Sequence, residues 1–477
     1  MATTIAGYRH RNRLFKDYEE VIQTNRQLDR SLVSFQANRK LGFYSWLKYK
    51  EGFSARLVDR LLDEYGLSRG TLLDPFAGIG TSLFVARDRG LNAIGIELMP
   101  IGFLAMEARL CAERVSPQAF SRKARQIDKI DWQRCSSDSY ALHHIPITER
   151  AFSPENELAI SGYRSFCSER VRDVDLRKLF QVAGVSILED ISYTRKDGQY
   201  LRWDLRSKKP RVTAQFHKGE IKKFDEALRG KLLQIERDLK GAGAPERSLF
   251  APIKDTPPRI GCVDLRKGSC LELLPQMPDS SVDVVVTSPP YCNRYDYTRT
   301  YALELVYLDL DRDDVKRLRQ AMLSCTVENQ AKTNELRQIY ESIQQIENYH
   351  RVLSCFERSL ALHEVLEFLE SEATIGELNN QNIPRMVRNY FLEMCVVVFE
   401  LSRVLRPEGR VFMVNDNVRY AGEEVPVDLI LSDFARCFGF EVERIWTLPR
   451  GKGNSSQQMG VHGRSELRKC VYVWRKL

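Results

Sequence analysis

The sequence predicts a doubly wound α/β fold built on a mostly parallel, seven-stranded sheet and interrupted by two large insertions. Three observations carry that prediction. Short buried-strand patterns alternate with amphipathic helix patterns, as in a parallel sheet covered on both faces. A complete β-α-β unit stands at TLLDPFAGIGTSLFVARDRGLNAIGIELMP, where strand, glycine turn, helix and second strand follow one another. The same grammar returns late in the chain, from CVDLRKGS onward.

Residues 1–40 are polar and basic with weak periodicity, and are expected to form an N-terminal helical arm. Residues 41–111 form the first part of the core. There, ARLVDRLLDEYG sets Leu57, Val58, Leu61 and Leu62 at helical spacing, with Gly66 as a stop. TLLDPF reads as a buried strand, TSLFVARDRG as a helix ending at Gly90, and NAIGIE as a strand closed by Glu97. Residues 112–256 are a basic insertion. Residues 257–296 return to the core with CVDLRKGS as a strand, CLELLPQM as a short helix and SVDVVVTSPPY as a strand entering a proline-locked turn. Residues 297–386 are a second, net acidic insertion with helical periodicity at Ile339, Ile343, Ile346 and Leu353. Residues 387–477 complete the core. NYFLEMCVVVFELSRVLRPEG is a long helix stopped by Pro407 and Gly409, and RVFMVND is a strand. VDLILSDFARCFGF is a helix, and EVERIWTLPR and KCVYVWRK are the closing strands.

Composition narrows the class. The chain has 477 residues, 43% hydrophobic and 29% charged, an ordinary globular balance with ample length for a large core. No apolar run approaches the ~18–20 residues that span a bilayer, and no secretory signal is visible at the N-terminus. Eleven scattered cysteines without a CxxC pair point to reduced thiols rather than a disulfide framework. A cytoplasmic protein without a membrane partner is expected. The net charge of +8 permits a polyanionic partner. His143, His144 and His462 have no partners at ligand spacing, so no metal site is expected.

Two motifs bear chemistry. In DPFAGIGT, Asp74 to Thr81, Gly78 and Gly80 allow a sharp turn and close approach of a ligand to the backbone. The following helix N-terminus adds donors. Glu97 ends the next strand, nineteen residues after Gly78, where a carboxylate can accept two hydrogen bonds from a ribose diol. Leu83 occupies the third glycine position of a dinucleotide fingerprint, and no Gly-Lys-Ser/Thr follows, so neither a dinucleotide nor a Walker loop fits. The second motif is Thr287-Ser288-Pro289-Pro290-Tyr291, after the apolar strand Val282–Val286. Two prolines fix φ and remove two amide donors. The Ser288 hydroxyl and nearby carbonyls are left as acceptors beside the Tyr291 ring, an arrangement suited to a planar heterocycle with an exocyclic amine. Acceptors on both N–H groups favour a pyramidal nitrogen and stabilise its developing positive charge.

On these residues the sequence resembles the DNA amino-methyltransferases that use S-adenosylmethionine, a Rossmann-like class I fold. DPFAGIGT resembles their cofactor loop, TSPPY their catalytic motif, and LKYKEGFSARLVDRLL their N-terminal element at the cofactor's methionine end. The resemblance implies cofactor contacts at Phe53, Ser54, Asp74, Phe76, Gly78, Gly80, Thr81 and Glu97, and catalytic roles for Ser288, Pro289, Pro290 and Tyr291. Where the family often has Gly-Asp, this chain has Gly268-Ser269, so either Ser269 or Asp264 is expected at the adenine edge. Serine at position 288 resembles the N4-cytosine subgroup more than the N6-adenine one. Carbon-5 methylation is disfavoured because no Pro-Cys dipeptide occurs, and Cys292 is read as a bystander.

The implied substrate is double-stranded DNA with its target base flipped out. Residues 195–240 hold fourteen Lys/Arg against seven Asp/Glu, interleaved with aromatics. Arg195, Lys196, Arg202, Lys208, Lys209 and Arg211 are expected to meet phosphates. Asn454 and Ser455, in the polar loop 450–464, are a second contact candidate. The implied setting is a restriction-modification system whose cognate endonuclease acts on the same site without required binding, with the enzyme nucleoid-associated when it acts. Adenine N6 in DNA, an exocyclic amine in RNA, and a non-catalytic binding protein on the same fold are the alternatives.

Overall fold

The computed structural model describes residues 8–127, 129–197, 200–210, 216–241, 260–449 and 467–477. The strands, in chain order, are β1 (Ile22–Thr24), β2 (Thr71–Asp74), β3 (Asn92–Glu97), β4 (Thr194–Asp197), β5 (Tyr200–Trp203), β6 (Val263–Lys267), β7 (Val282–Thr287), β8 (Leu405–Asp416), β9 (Val418–Tyr420), β10 (Glu423–Val425), β11 (Phe440–Thr447) and β12 (Lys469–Lys476). One sheet has the order β1-β11-β12-β8-β7-β2-β3-β6. From β8 through β7, β2 and β3 to β6 every pairing is parallel. Only β12 runs against its neighbours, β11 and β8. β9–β10 and β4–β5 are separate two-stranded ribbons.

Among the described residues the sheet has eight strands, where seven were expected. The eighth, β1, comes from the N-terminal arm: after the expected helix, Arg9–Tyr18, residues 22–24 pair in parallel with β11, Ile22 opposite Ile445. A three-residue strand shows no period to read. The arm is tied down as well as paired, since Arg11 Nε lies 2.9 Å from Glu364 Oε1.

Strand alternation divides the core. Leu72, Val284, Val286, Phe412, Val414, Val471 and Val473 face the helices Ala55–Glu64 and Thr81–Asp88. Leu73, Val285, Val411, Met413, Tyr472 and Trp474 face the helices Ile383–Val404 and Val427–Cys437. Burial on both faces explains the near-continuous apolar strands of the sequence. The chain leaves β2 to build β3 and β6 on one side, then returns to build β7 and β8 on the other. The order therefore reverses between β2 and β7, and a crevice opens there at the strands' carboxyl ends.

Residues of the 112–256 segment share one apolar cluster with Trp46, Leu47, Met99, Ile101 and Leu104 of the segment before it. Phe120, Trp132, Tyr163, Phe180, Leu228 and Ile235 pack on one another from helices Pro117–Ile127, Pro154–Ser165, Val174–Ile191 and Phe224–Gly241 and the segments between them. Tyr301, Leu303, Leu305 and Tyr307 of the second insertion join that cluster, while its later residues Leu336, Tyr349 and Leu362 pack with helix Ile383–Val404. The two insertions thus meet in space although the core separates them in sequence.

Candidate active site

The glycine turn follows β2 and the proline elbow follows β7, its direct neighbour. Asp74 fastens one to the other. Its Oδ1 accepts a bond from Thr287 Oγ1 at 2.7 Å and from the Phe76 amide at 3.1 Å, and its Oδ2 accepts from Ser82 Oγ. Burial raises its pKa to about 6, against those three hydrogen bonds. Gly78 and Gly80 have φ of +56° and +80°, where a side chain is strained. A Cβ on Gly78 would also come within 3.1 Å of the Tyr49 ring.

Glu97 closes the turn from β3. Its two carboxylate oxygens accept from the amides of Gly78, at 2.6 Å, and Met99. Burial is the largest influence on it and raises its pKa to about 7.

Turn and elbow open onto one cavity of about 390 Å³, lined by Phe76, Gly78, Glu97, Ser269, Ser288, Pro289, Pro290 and Tyr291 among others. That size suits a small-molecule site. Eight of the residues singled out in the sequence therefore share a wall. Ser288 Oγ donates to Tyr291 Oη at 3.4 Å, and burial pushes the Tyr291 hydroxyl well above its ordinary pKa. Ser269 lines the cavity, its hydroxyl donating to the Ala321 carbonyl at 3.1 Å, whereas Asp264 is exposed and paired with Arg266. Of the two residues expected at the adenine edge, Ser269 is the one at the cavity.

Phe53, Ser54, Asp74, Gly80 and Thr81 stand behind the wall. Ser54 is fully buried and caps the helix Ala55–Glu64 by accepting from the Leu57 amide at 3.2 Å. Its predecessors Tyr49, Lys50, Glu51 and Gly52 line the cavity instead. Cys292 is completely buried and its thiol is pushed far above its ordinary pKa by that burial, so no thiolate is at hand.

Several lining residues carried no signal that the sequence pattern picked out: Asn293, Tyr295, Tyr297, Asp416 and Lys469. Tyr295 and Tyr301 both donate to Glu51, and Tyr301 stacks on Tyr49 with centroids 5.2 Å apart. Asp416 ends β8 as Glu97 ends β3, and a strand-end carboxylate beside the elbow strand was the available clue. A wider recess of about 960 Å³ lies between residues 23–27 and the helix Ala55–Glu64, with no lining residue in common with the cavity.

The basic segment is divided by its own pleat. Arg195 and Arg202 sit opposite each other on β4 and β5, both exposed, and both guanidinium groups lie over the Phe216 ring. Lys196 points the other way. It is 4% exposed, paired with Glu304, and its ammonium lies 4.2 Å from the Tyr301 ring centre, which corrects its expected place at a phosphate. Lys209 donates to the carbonyls of Pro146 and Glu149 and lies over Trp203, so its ammonium is committed to the protein. Lys208 is exposed. Arg211, Asn454 and Ser455 fall outside the described residues.

Sheet, switch point and shared cavity are together compatible with the Rossmann-like methyltransferase class. The chain is 44% identical over 461 residues to Type II methyltransferase M.AvaI of Nostoc sp., covering 96% of this chain and 92% of that protein. It is 40% identical over 483 residues to Type II methyltransferase M.BsoBI of Geobacillus stearothermophilus, covering 98% and 92%. Type II methyltransferase M.MvaI of Kocuria varians is more distant, 22% identical over 385 residues and 76% of this chain. No family model and no solved structure matches. The chain belongs to the family of type II DNA methyltransferases. Among the described residues no helix is long and apolar enough to cross a membrane.

Proposed function

We propose that this protein is the site-specific modification enzyme of a restriction-modification system, moving a methyl group from S-adenosylmethionine to N4 of a cytosine turned out of duplex DNA. The observation that carries this is the single cavity shared by the glycine turn and the Ser288–Tyr291 elbow.

S-adenosylmethionine, when bound, supplies a methyl group on a sulfonium that a nitrogen lone pair can displace. The glycine cradle and the cavity volume fit such a molecule. Glu97 offers its carboxylate to a ribose diol, Ser269 its hydroxyl to the adenine edge, and Gly78 lets the backbone come close. On the other side Tyr291 offers a ring face to the extruded base, while Ser288 and the proline carbonyls accept from its amine. Those acceptors are held rigidly before the reaction begins, so they stabilise charge on nitrogen without reorganising. Holding both reactants in one cavity removes much of the entropic barrier. Serine, rather than aspartate, at position 288 favours cytosine N4 over adenine N6.

The exposed pair Arg195 and Arg202, with Lys208, would take phosphates beside the cavity. Lys196 on the same ribbon reaches back to Tyr301, which stacks on the wall residue Tyr49, and its carbonyl accepts from the wall residue Lys50. We infer that residues 112–256, together with 450–464, read the target.

Duplex DNA of mixed sequence, incubated with the protein and methyl-labelled S-adenosylmethionine and then digested to nucleosides, should yield N4-methylcytosine by mass analysis. N6-methyladenine would move the target to the other amine. Label at carbon 5, or none in DNA, would overturn the proposal.

A further inference from the structure

An amine is only one edge of a base. Cytosine gripped by N4 also presents the acceptors N3 and O2. Adenine gripped by N6 presents N1 in the place of N3, but a C–H where cytosine has O2. A site that distinguishes them needs a donor at that far position, and the acceptor-rich elbow is not where such a donor would stand.

Lys469 is placed for that task. It lies on β12 opposite Asp416 of β8, and β8 is the neighbour of the elbow strand β7. Thr287 pairs with Met413, so Asp416 stands three residues further toward the carboxyl edge. Lys469 Nζ is 3.0 Å from Asp416 Oδ2, and both residues line the cavity with Tyr291. The pair is not saturated. Asp416 Oδ1 is closed off from solvent with no hydrogen-bond partner among the described residues, and the ion pair uses one of three ammonium protons. Burial raises the Asp416 pKa, opposed by Lys469 and, to a smaller extent, by Arg30.

The other charged groups on the wall have protein partners, and Glu97 is in addition the one assigned to the ribose above. Lys50 donates to the Lys196 carbonyl, Glu51 accepts from two tyrosines, and Glu97 accepts from two amides. Two of the Lys469 ammonium protons are left over by the bond to Asp416 Oδ2, and because Lys469 lines the cavity an acceptor on a base edge can receive one of them.

We propose that Lys469, positioned by Asp416, is a specificity-determining residue that donates to the O2 carbonyl of the extruded cytosine and so rejects adenine. This rests on the N4-cytosine reading above.

The test uses the full-length protein and duplexes carrying its mapped site. The target position holds cytosine, adenine, or a 2-aminopyridine C-nucleoside that keeps the amine and ring nitrogen but lacks the carbonyl. Single-turnover transfer is measured for wild type, Lys469→Met, Lys469→Arg and Asp416→Asn, with cofactor affinity measured separately by equilibrium dialysis. Lys469→Met should slow transfer to cytosine about 10–100-fold, the range for a lost charge-assisted hydrogen bond. Transfer to adenine should not slow, so the cytosine-to-adenine ratio narrows by that factor, and cofactor affinity should hold. Arginine should restore part of the ratio, and Asp416→Asn should lose part of it. Wild type should transfer to the carbonyl-free analogue about 10–100-fold more slowly than to cytosine, a comparison that needs no variant and stands even if Lys469→Met fails to fold. Equal slowing on both bases, or full wild-type activity on the analogue, would overturn the proposal. N6-methyladenine from the wild type would instead mark failure of the cytosine reading, and the same assay reports it.

Discussion

The cavity wall at β2 and β7 and the basic ribbon β4–β5 both stood out in the sequence, and the fold treats them differently. On the wall, Phe76, Gly78, Ser288 and Tyr291 all reach the cavity. On the ribbon, Arg195 and Arg202 face solvent while Lys196 turns inward to Glu304. Two strand ends and two tight turns have little freedom once the strands pair, so residue type and position there dictate chemistry. A charge run says only that cations are present. The pleat, with its period of two, sends alternate side chains to opposite faces, and the packing of the neighbouring helices decides which of them is spent on structure.

The electrostatics differ in sign as well. Carboxylates on the wall and just behind it are raised by burial, Glu97 to about 7 and Asp74 to about 6. Asp204, just past the ribbon, is held well below the ordinary range by Arg206.

The largest effect should come from breaking the elbow. Ser288→Ala and Tyr291→Ala are each expected to lower single-turnover methyl transfer by at least ~10²–10³-fold, the scale for losing one preorganised partner. Cofactor affinity by calorimetry should change little. Wild-type transfer in both variants would break the contrast at its stronger side.

Next is the buried member of the ribbon. Lys196→Met leaves Glu304 unpaired in a site where both side chains are less than 5% exposed. Urea denaturation should show a loss of about 3 kcal/mol, while the double change Lys196→Met with Glu304→Leu recovers most of it. A single variant as stable as wild type would mean that the pair is not buried.

Third comes pH. An acid whose pKa is raised in the fold binds its proton more tightly there than in the unfolded chain. Stability from Glu97 is therefore fully present below its ordinary value of 4.5 and falls as pH rises to about 7. Glu97→Gln should remove that slope, a change on the order of 3 kcal/mol, read as urea midpoints across the same window. Cofactor affinity should move oppositely, weakening in wild type as pH drops below about 7, because the ribose needs the ionised acceptor. A pH-independent affinity would separate Glu97 from the ribose.

The smallest effect should be on the ribbon's solvent face. Arg202→Ala and Lys208→Ala are each expected to weaken DNA binding several-fold and to lower the salt-dependence slope by about 1. Lys209→Met, whose ammonium already serves two carbonyls, should leave the slope unchanged. Equal slopes in all three variants would mean that this face does not meet phosphate.

By itself the sequence determined the parallel sheet and both ends of the candidate site. DPFAGIGT and TSPPY are local objects: glycine freedom, proline rigidity and a strand end act within a few residues, and strand and helix periods differ enough to be read directly. Only the tertiary structure decided which side chains share the cavity. Ser54 became a helix cap behind it and Glu51 a wall residue, one step of chain direction apart. Asp416 and Lys469 came to the same wall from strands more than fifty residues apart. β1 joined the sheet through three residues too short to show a period, and Lys196 was turned inward by its pleat. In each case the deciding energy is burial or pairing with residues far away in sequence, and no local pattern of residues carries that information.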